Sequence, residues 1–222
     1  MIKKNFILSL VFLFAGSCGD MKQEYLKKAF SSHRGKYALV VVKNKFILEV
    51  YNSEMKRISF YKIGFGSNPD MLPKLYEGDN RTPEGIYETN EILSMDAGRD
   101  SGSYRKLLKM NEVYFRLKDG YHKYGNPDQD LGDNAYGPRY YGINYPNHED
   151  RKKYQQSINE GRIPSYKGKT AGIGYGIAIH GNNDENSIGH LCSSGCIRMY
   201  NRDVVDIEKY IMLSSPVIIL KE

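Results

Sequence analysis

The chain is poor in cysteine, with Cys18, Cys192 and Cys196 its only three in 222 residues. That excludes a framework of several disulfides, so the folded body must rely on an apolar core. It also lacks a basic cluster. Its 32 Lys and Arg are dispersed among 26 Asp and Glu, no nucleic-acid-binding motif occurs, and nucleic acid is not an expected partner. The apolar run Phe6–Phe14 falls well short of the roughly 20 residues needed to span a bilayer. What is present, 40% apolar and 26% charged residues, suits one domain with a real core plus a tail.

The N-terminus reads as a processing segment. Lys3 and Lys4 make a positive start, Phe6–Phe14 an apolar middle, and Ala15-Gly16-Ser17 a small-residue cleavage zone. Cys18 then looks like the lipobox cysteine of a bacterial lipoprotein, although Ala15 stands where Leu is usual; the other reading is an ordinary leader with an incidental cysteine. Residues 1–17 are expected to be a signal peptide, Cys18 the acylation site, and 18–35 a tether with a weak helical pattern (Tyr25, Leu26, Ala29, Phe30). The protein is then exported, periplasmic and held at a membrane. In a diderm cell that is the outer membrane, because Gly19 and Asp20 give no evident inner-membrane retention signal. Losing Lys3 and Lys4 lowers the formal charge from +6 to +4, a mild excess suited to cell wall or anionic headgroups.

The domain is expected over 36–222. YALVVV (37–42), KFILEVY (45–51) and ISFYKIG (58–64) are β-branched and aromatic runs split by polar pairs, a β-meander. Residues 65–81 form a loop dense in turn formers, and Thr82-Pro83-Glu84-Gly85 turns into a strand from Ile86. Residues 96–170 form an irregular, Tyr-rich insertion with short strands near 113–117 and 139–144. A stretch so long is expected to be a functional lid or disordered, its tyrosines either lining a groove or covering an exposed core edge. At 147–161 a helix is expected, capped by Asn147, with Glu149 and Asp150 in its first turn and Gly161 closing it. RDVVDIEKYIML, capped by Asn201, is expected as an amphipathic helix with Val204, Ile207, Ile211 and Met212 on one face. VIIL (217–220) closes the chain as a buried strand.

The chemistry concentrates in 177–199, IAIHGNNDENSIGHLCSSGCIRM. Ile177-Ala178-Ile179 reads as a strand delivering His180, and small residues precede Cys196. An imidazole near a thiol can take its proton, and tight turns before the thiol can aim backbone N–H groups at an oxyanion. His180, Gly181, Ile188-Gly189, Ser193, Gly195, Cys196, Ile197, Arg198, Met199, Asn201 and Asp203 together resemble the signature of the L,D-transpeptidase catalytic domain, the YkuD-like family. The Thr82-Pro83-Glu84-Gly85-Ile86-Tyr87 stretch resembles that family's TPxGxY/F element, so the resemblance covers about 36–220. Ser194 departs from it, standing where a second His is usual.

That resemblance implies a mostly β, α+β fold: a sandwich or mixed sheet with a C-terminal helix packed near the cysteine motif. It implies Cys196 as nucleophile, His180 as proton donor and acceptor, and an oxyanion site in the loop of Ser194 and Gly195. Gly181, Ser193 and Arg198 are expected to bind substrate or orient the loop, Arg198 either holding it through a salt bridge or binding a substrate carboxylate. The substrate is a peptidoglycan stem peptide, the acceptor an amine of another stem or of a wall-linked lipoprotein, or water; neither metal nor cofactor is needed. The residues also admit other readings. Cys192 and Cys196 could form a disulfide; His180, His190, Cys192 and Cys196 could hold zinc, though at no common zinc spacing; or the fold could be a non-catalytic wall-binding module.

Overall fold

The computed structural model describes residues 18–33, 35–112 and 134–222. Helix α1 (Cys18–Ser32) leads to β1 (Tyr37–Val42), a 3-10 turn at Lys43–Lys45, β2 (Ile47–Asn52), β3 (Arg57–Gly66) and β4 (Gly85–Ser94). Helix α2 (Gly102–Glu112), β5 (Arg139–Ile143), α3 (His148–Asn159) and a small hairpin, β6 (Ser165–Tyr166) and β7 (Lys169–Thr170), follow. The chain ends through β8 (Ala178–His180), β9 (Leu191–Ser193), β10 (Ile197–Met199), α4 (Asn201–Asp206) and β11 (Pro216–Leu220).

Nine strands pair in the order β10-β8-β5-β4-β11-β1-β2-β3-β9, and β10 also pairs with β3. Eight strands therefore close a ring around Leu39, Val41, Leu48, Ile63, Tyr141 and Ile179. The two ten-residue strands turn the corners. β3 bonds β2 along its first part and β10 and β9 at its end; β4 passes from β11 to β5. The architecture is mostly β with a C-terminal helix, as the sequence implies. The meander is present, but β2 starts at Ile47: without a hairpin glycine the turn spends Lys43–Lys45 in a 3-10 turn, and Phe46 (φ 53°) tucks its ring against Phe65 at 4.9 Å.

Three expectations need correction. The segment read as a tether is a docked helix: Leu26 and Ala29 are fully buried against Ala38, Val40, Ile218 and Leu220. Burying a leucine side chain is worth about 1.5–3 kcal/mol, enough to hold α1 on the sheet. At the other end, the helix after Cys196 is short. α4 stops at Asp206 and tightens into a 3-10 turn at Ile207–Tyr210; Val204 and Ile207 stay buried, while Met212 falls beyond it and is 58% exposed. Asn201 does not cap α4, whose N-cap Tyr200 offers no side-chain bond.

Within 96–170 the strand expected at 139–144 is present as β5 and lies in the ring, while α2, which buries Leu107, is a regular element not expected from the sequence. The helix at 147–161 is present with its cap: Asn147 accepts from the Glu149 and Asp150 N–H groups, Asp150 answers to the Asn147 N–H, and Gly161 follows at φ 68°. The leader 1–17 and the strand expected at 113–117 lie outside the described residues.

Candidate active site

Pairing register builds the site before any side chain is considered. Arg198 on β10 lies opposite both Gly64 on β3 and His180 on β8, and His180 lies opposite Tyr140 on β5. Gly64, Arg198, His180 and Tyr140 therefore form one row across four strands. Their neighbours Ile63, Ile179, Ile197, Met199 and Tyr141 point the other way, into the core. Ile197 pairs with Ile179, which sets Cys196 beside Ala178 on the face of the row, and Cys196 packs against the cluster of Leu93, Leu107, Tyr140 and Ala178. Diagonal neighbours on adjacent strands sit about 7–8 Å apart, within reach of an imidazole. The sheet thus brings Cys196 and His180 to one face, sixteen residues apart in sequence but on touching strands.

The turn before Cys196 is braced from both sides. Ser193 Oγ donates to the Cys196 carbonyl (2.6 Å) and accepts from the Gly195 N–H (3.1 Å). Gly195 has φ 138°, and a Cβ there would lie 2.8 Å from the Arg81 carbonyl oxygen, so only glycine fits. The Thr82 hydroxyl, 1% exposed, donates to the Gly195 carbonyl (2.8 Å) and accepts from the Gly66 N–H (2.9 Å). Thr82 was legible as part of a β-turn and of the TPxGxY/F element, but its reach of 113 positions to Gly195 left no local signal. The loop behind it is tied by buried Asp79, which accepts from the N–H groups of Leu75, Tyr76 and Arg81 and from Lys74 Nζ.

His180 is 3% exposed, and its Nδ1 bonds the Gly181 carbonyl in a very short contact. A carbonyl only accepts, so Nδ1 carries a proton, and in the neutral tautomer this fixes, Nε2 is the basic nitrogen. Tyr136 tilts against the ring at 4.9 Å between centroids, and Tyr140 stacks on it at 6.2 Å and 23°. Burial pushes the Tyr140 phenol well above its ordinary pKa, and negative charge on Cys196 adds to the shift. The insertion's tyrosines divide accordingly: Tyr136 and Tyr140 attend the site, whereas Tyr141 and Tyr145 fill the core. The Cys196 thiol donates to the Gly176 carbonyl at 3.4 Å.

The remaining motif residues scaffold. Asn201 Oδ1 accepts from the Asn182 N–H and its Nδ2 donates to the Asn182 carbonyl, both at 2.9 Å, while Asn182 Nδ2 holds the Met199 carbonyl at 2.8 Å. This amide clasp locks the turn after His180 to the start of α4. Gly181 is wedged beneath it, where a Cβ would lie 2.8 Å from Pro138 Cδ. Buried Asn182 carries no motif signal and was missed. Asp203 pairs with Arg202 at 3.2 Å, and burial raises its carboxyl pKa. Arg198 makes no carboxylate ion pair among the described residues, and its buried Nε has no hydrogen-bond partner there.

Cys192 and Cys196 are separate thiols. Cys192 sits over Gly64 beside Arg198 and Ser187, and burial raises its pKa with the Arg198 charge opposing. His190 is exposed on the loop before β9, far in character from buried His180, and no group of three His, Cys, Asp or Glu gathers for a metal among the described residues. A cleft of about 920 Å³ lies elsewhere, between α1, β4 and α3, lined by Tyr25, His33, Glu88, Asp150 and Lys153. Its deepest acid is already spent: Asp150 caps α3 and accepts from the Tyr87 hydroxyl at 2.9 Å. Cys18 begins α1.

Fold and site together define a mostly β domain that presents a thiol and an imidazole on one sheet face behind a braced turn. The chain belongs to the YkuD family, the L,D-transpeptidase catalytic domain, whose family model matches residues 35–219. YqjB of Bacillus subtilis (strain 168), which carries a provisional L,D-transpeptidase name, is 30% identical over 141 residues, 64% of this chain and 61% of YqjB. Among solved structures, Bd1075 of Bdellovibrio bacteriovorus is 22% identical with a TM-score of 0.49, over 85% of this chain and 49% of that one. An L,D-transpeptidase from Mycobacterium tuberculosis H37Rv is 12% identical with a TM-score of 0.43, over 83% and 57%. The chain thus spans 49% to 61% of the length of these relatives.

Proposed function

We propose that this protein is a cysteine-dependent L,D-transpeptidase acting on peptidoglycan stem peptides. The observation that carries the reading is the register of β8 and β10, which puts Cys196 and His180 on one face with Nδ1 of the imidazole already committed to Gly181. Cys196 gives its proton to His180 Nε2 and the thiolate attacks the carbonyl carbon after the third stem residue. The oxyanion is held by backbone N–H groups of the Ser194–Cys196 turn, where the Gly195 N–H is not a donor because Ser193 Oγ engages it. Collapse expels the terminal D-amino acid, whose amine takes the proton from His180, and a second amine resolves the thioester. Arg198, without a carboxylate partner in the described protein, binds the carboxylate of the substrate rather than a salt bridge of the loop.

Ser194 in place of the usual histidine favours a second reading, in which water resolves the same thioester and the enzyme trims stems or releases a wall-linked lipoprotein. The deciding experiment is mass spectrometry of muropeptides after incubating the protein with isolated sacculi. New cross-links support transfer, trimmed stems alone support hydrolysis, and unchanged sacculi with an unreactive Cys196 would leave a wall-binding module.

The cellular setting belongs to the same proposal. Residues 1–17 act as a signal peptide and Cys18 is diacylated, which anchors the protein at the periplasmic side of a membrane. Cys18→Ser should then abolish labelling by a fatty-acid probe and release the protein from membranes; an unlabelled wild type would end this part of the reading.

A further inference from the structure

We infer that Thr82 is a positioning residue that aims the Cys196 backbone N–H at the developing oxyanion. This rests on the acyl-enzyme reading above and assigns a function to the turn that precedes β4. The Thr82 hydroxyl has one proton. Because Oγ accepts from the Gly66 N–H, and the Gly195 carbonyl can only accept, that proton is given to Gly195. Both partners are buried, so the hydroxyl is fixed in one orientation.

The Gly195 carbonyl belongs to the same peptide unit as the Cys196 N–H. The only cis peptide among the described residues is Tyr145-Pro146, so this unit is trans. In a trans unit the C=O and N–H point in opposite directions. Holding the carbonyl on Thr82 therefore turns the Cys196 N–H away from Thr82. Ser193 fixes the two flanking units, taking the Gly195 N–H and holding the Cys196 carbonyl. The plane between them cannot rotate without breaking the Thr82 bond. Such rotation is otherwise open to it, because the glycine at φ 138° tolerates backbone angles that other residues do not.

The sharp consequence is that Thr82 affects acyl transfer to Cys196 but not the reactivity of the thiol as such. Alkylation by iodoacetamide needs a thiolate and access, with no oxyanion; acylation by an amide or a β-lactam needs both thiolate and oxyanion donor. The test compares wild type, Thr82→Val and Thr82→Ser, measuring Cys196 alkylation by iodoacetamide and Cys196 acylation by imipenem, each by intact mass with peptide mapping. Thr82→Val should acylate roughly 10- to 100-fold more slowly, somewhat less than the loss on deleting a whole oxyanion donor. Its alkylation rate should stay within about twofold of wild type, and Thr82→Ser should recover most of the acylation. Equal acylation by Thr82→Val and wild type would overturn the assignment. So would a parallel fall in alkylation and acylation, which marks a collapsed loop instead of a misaimed donor. A wild-type protein alkylated but never acylated at Cys196 would instead refute the acyl-enzyme reading on which this inference stands.

Discussion

Cys192 and Cys196 stand four residues apart and live in opposite surroundings. Cys192 is on β9, its sulfur seated over Gly64 so closely that a Cβ there would lie 2.5 Å away, with burial raising its pKa. Cys196 follows a turn whose backbone is pinned by Ser193 and Thr82, and it shares a sheet face with a buried imidazole. Residue type and exposure class do not separate them, since both are partly buried thiols outside any disulfide. The difference lies in the setting: packing over Gly64 for Cys192, a braced backbone and a sheet face shared with His180 for Cys196.

The comparison can be broken most directly by substitution. Cys196→Ala should remove all measurable turnover while the domain still unfolds cooperatively, and Cys192→Ala should keep most of the activity. The reverse pattern, read as muropeptide products per enzyme, would exchange the roles of the two thiols. Next in size, His180→Ala should slow acylation of Cys196 by about 100- to 10,000-fold, the usual range for loss of a general acid–base. A near-normal single-turnover rate would show that the thiol is activated by something else.

A smaller effect sharpens the contrast by pH. Burial raises the Cys192 pKa, so the neutral thiol is favoured in the fold and its thiolate forms only as pH climbs through that raised value. At pH 7 iodoacetamide should label Cys196 at least about tenfold faster than Cys192, with the gap closing towards alkaline pH. Peptide mapping that finds equal labelling at pH 7 would contradict the packing described here. Last, Gly64→Ala should cost about 1–3 kcal/mol of stability by overpacking against Cys192. Pairing it with Cys192→Ala should return part of that loss in urea unfolding, and only part, because the same Cβ also meets the Ser187 carbonyl oxygen at 2.9 Å. Strict additivity would mean that the sulfur is not the contact that matters.

Local signals account for much of what could be read beforehand. The α3 cap was legible because Asn147 and Asp150 satisfy each other within one turn of chain, and β1 because five successive residues of YALVVV are buried on both faces. The thiol–imidazole pair was legible as a motif in which residue types and loop length agree. Signals failed where the partner was distant. Leu26 and Ala29 looked like a weak pattern in a tether because the apolar surface they bury against belongs to β1 and β11. Asn201 looked like a cap because Asn before a helical run usually is one, yet its amide is spent on Asn182 across the site.

The sequence by itself determined the alternation that makes strands, the caps of α3, the glycine that permits φ 138° before Cys196, and the presence of a thiol and an imidazole within one short stretch of chain. Only the tertiary structure decided that β8 and β10 lie side by side in parallel, that β3 closes the ring onto β10, and that Thr82 reaches the Gly195 carbonyl. Propensities, caps and turns act over a few residues. The register of strands far apart in the chain is chosen by which arrangement buries every apolar face and satisfies every buried polar group at once, a condition that no single segment carries.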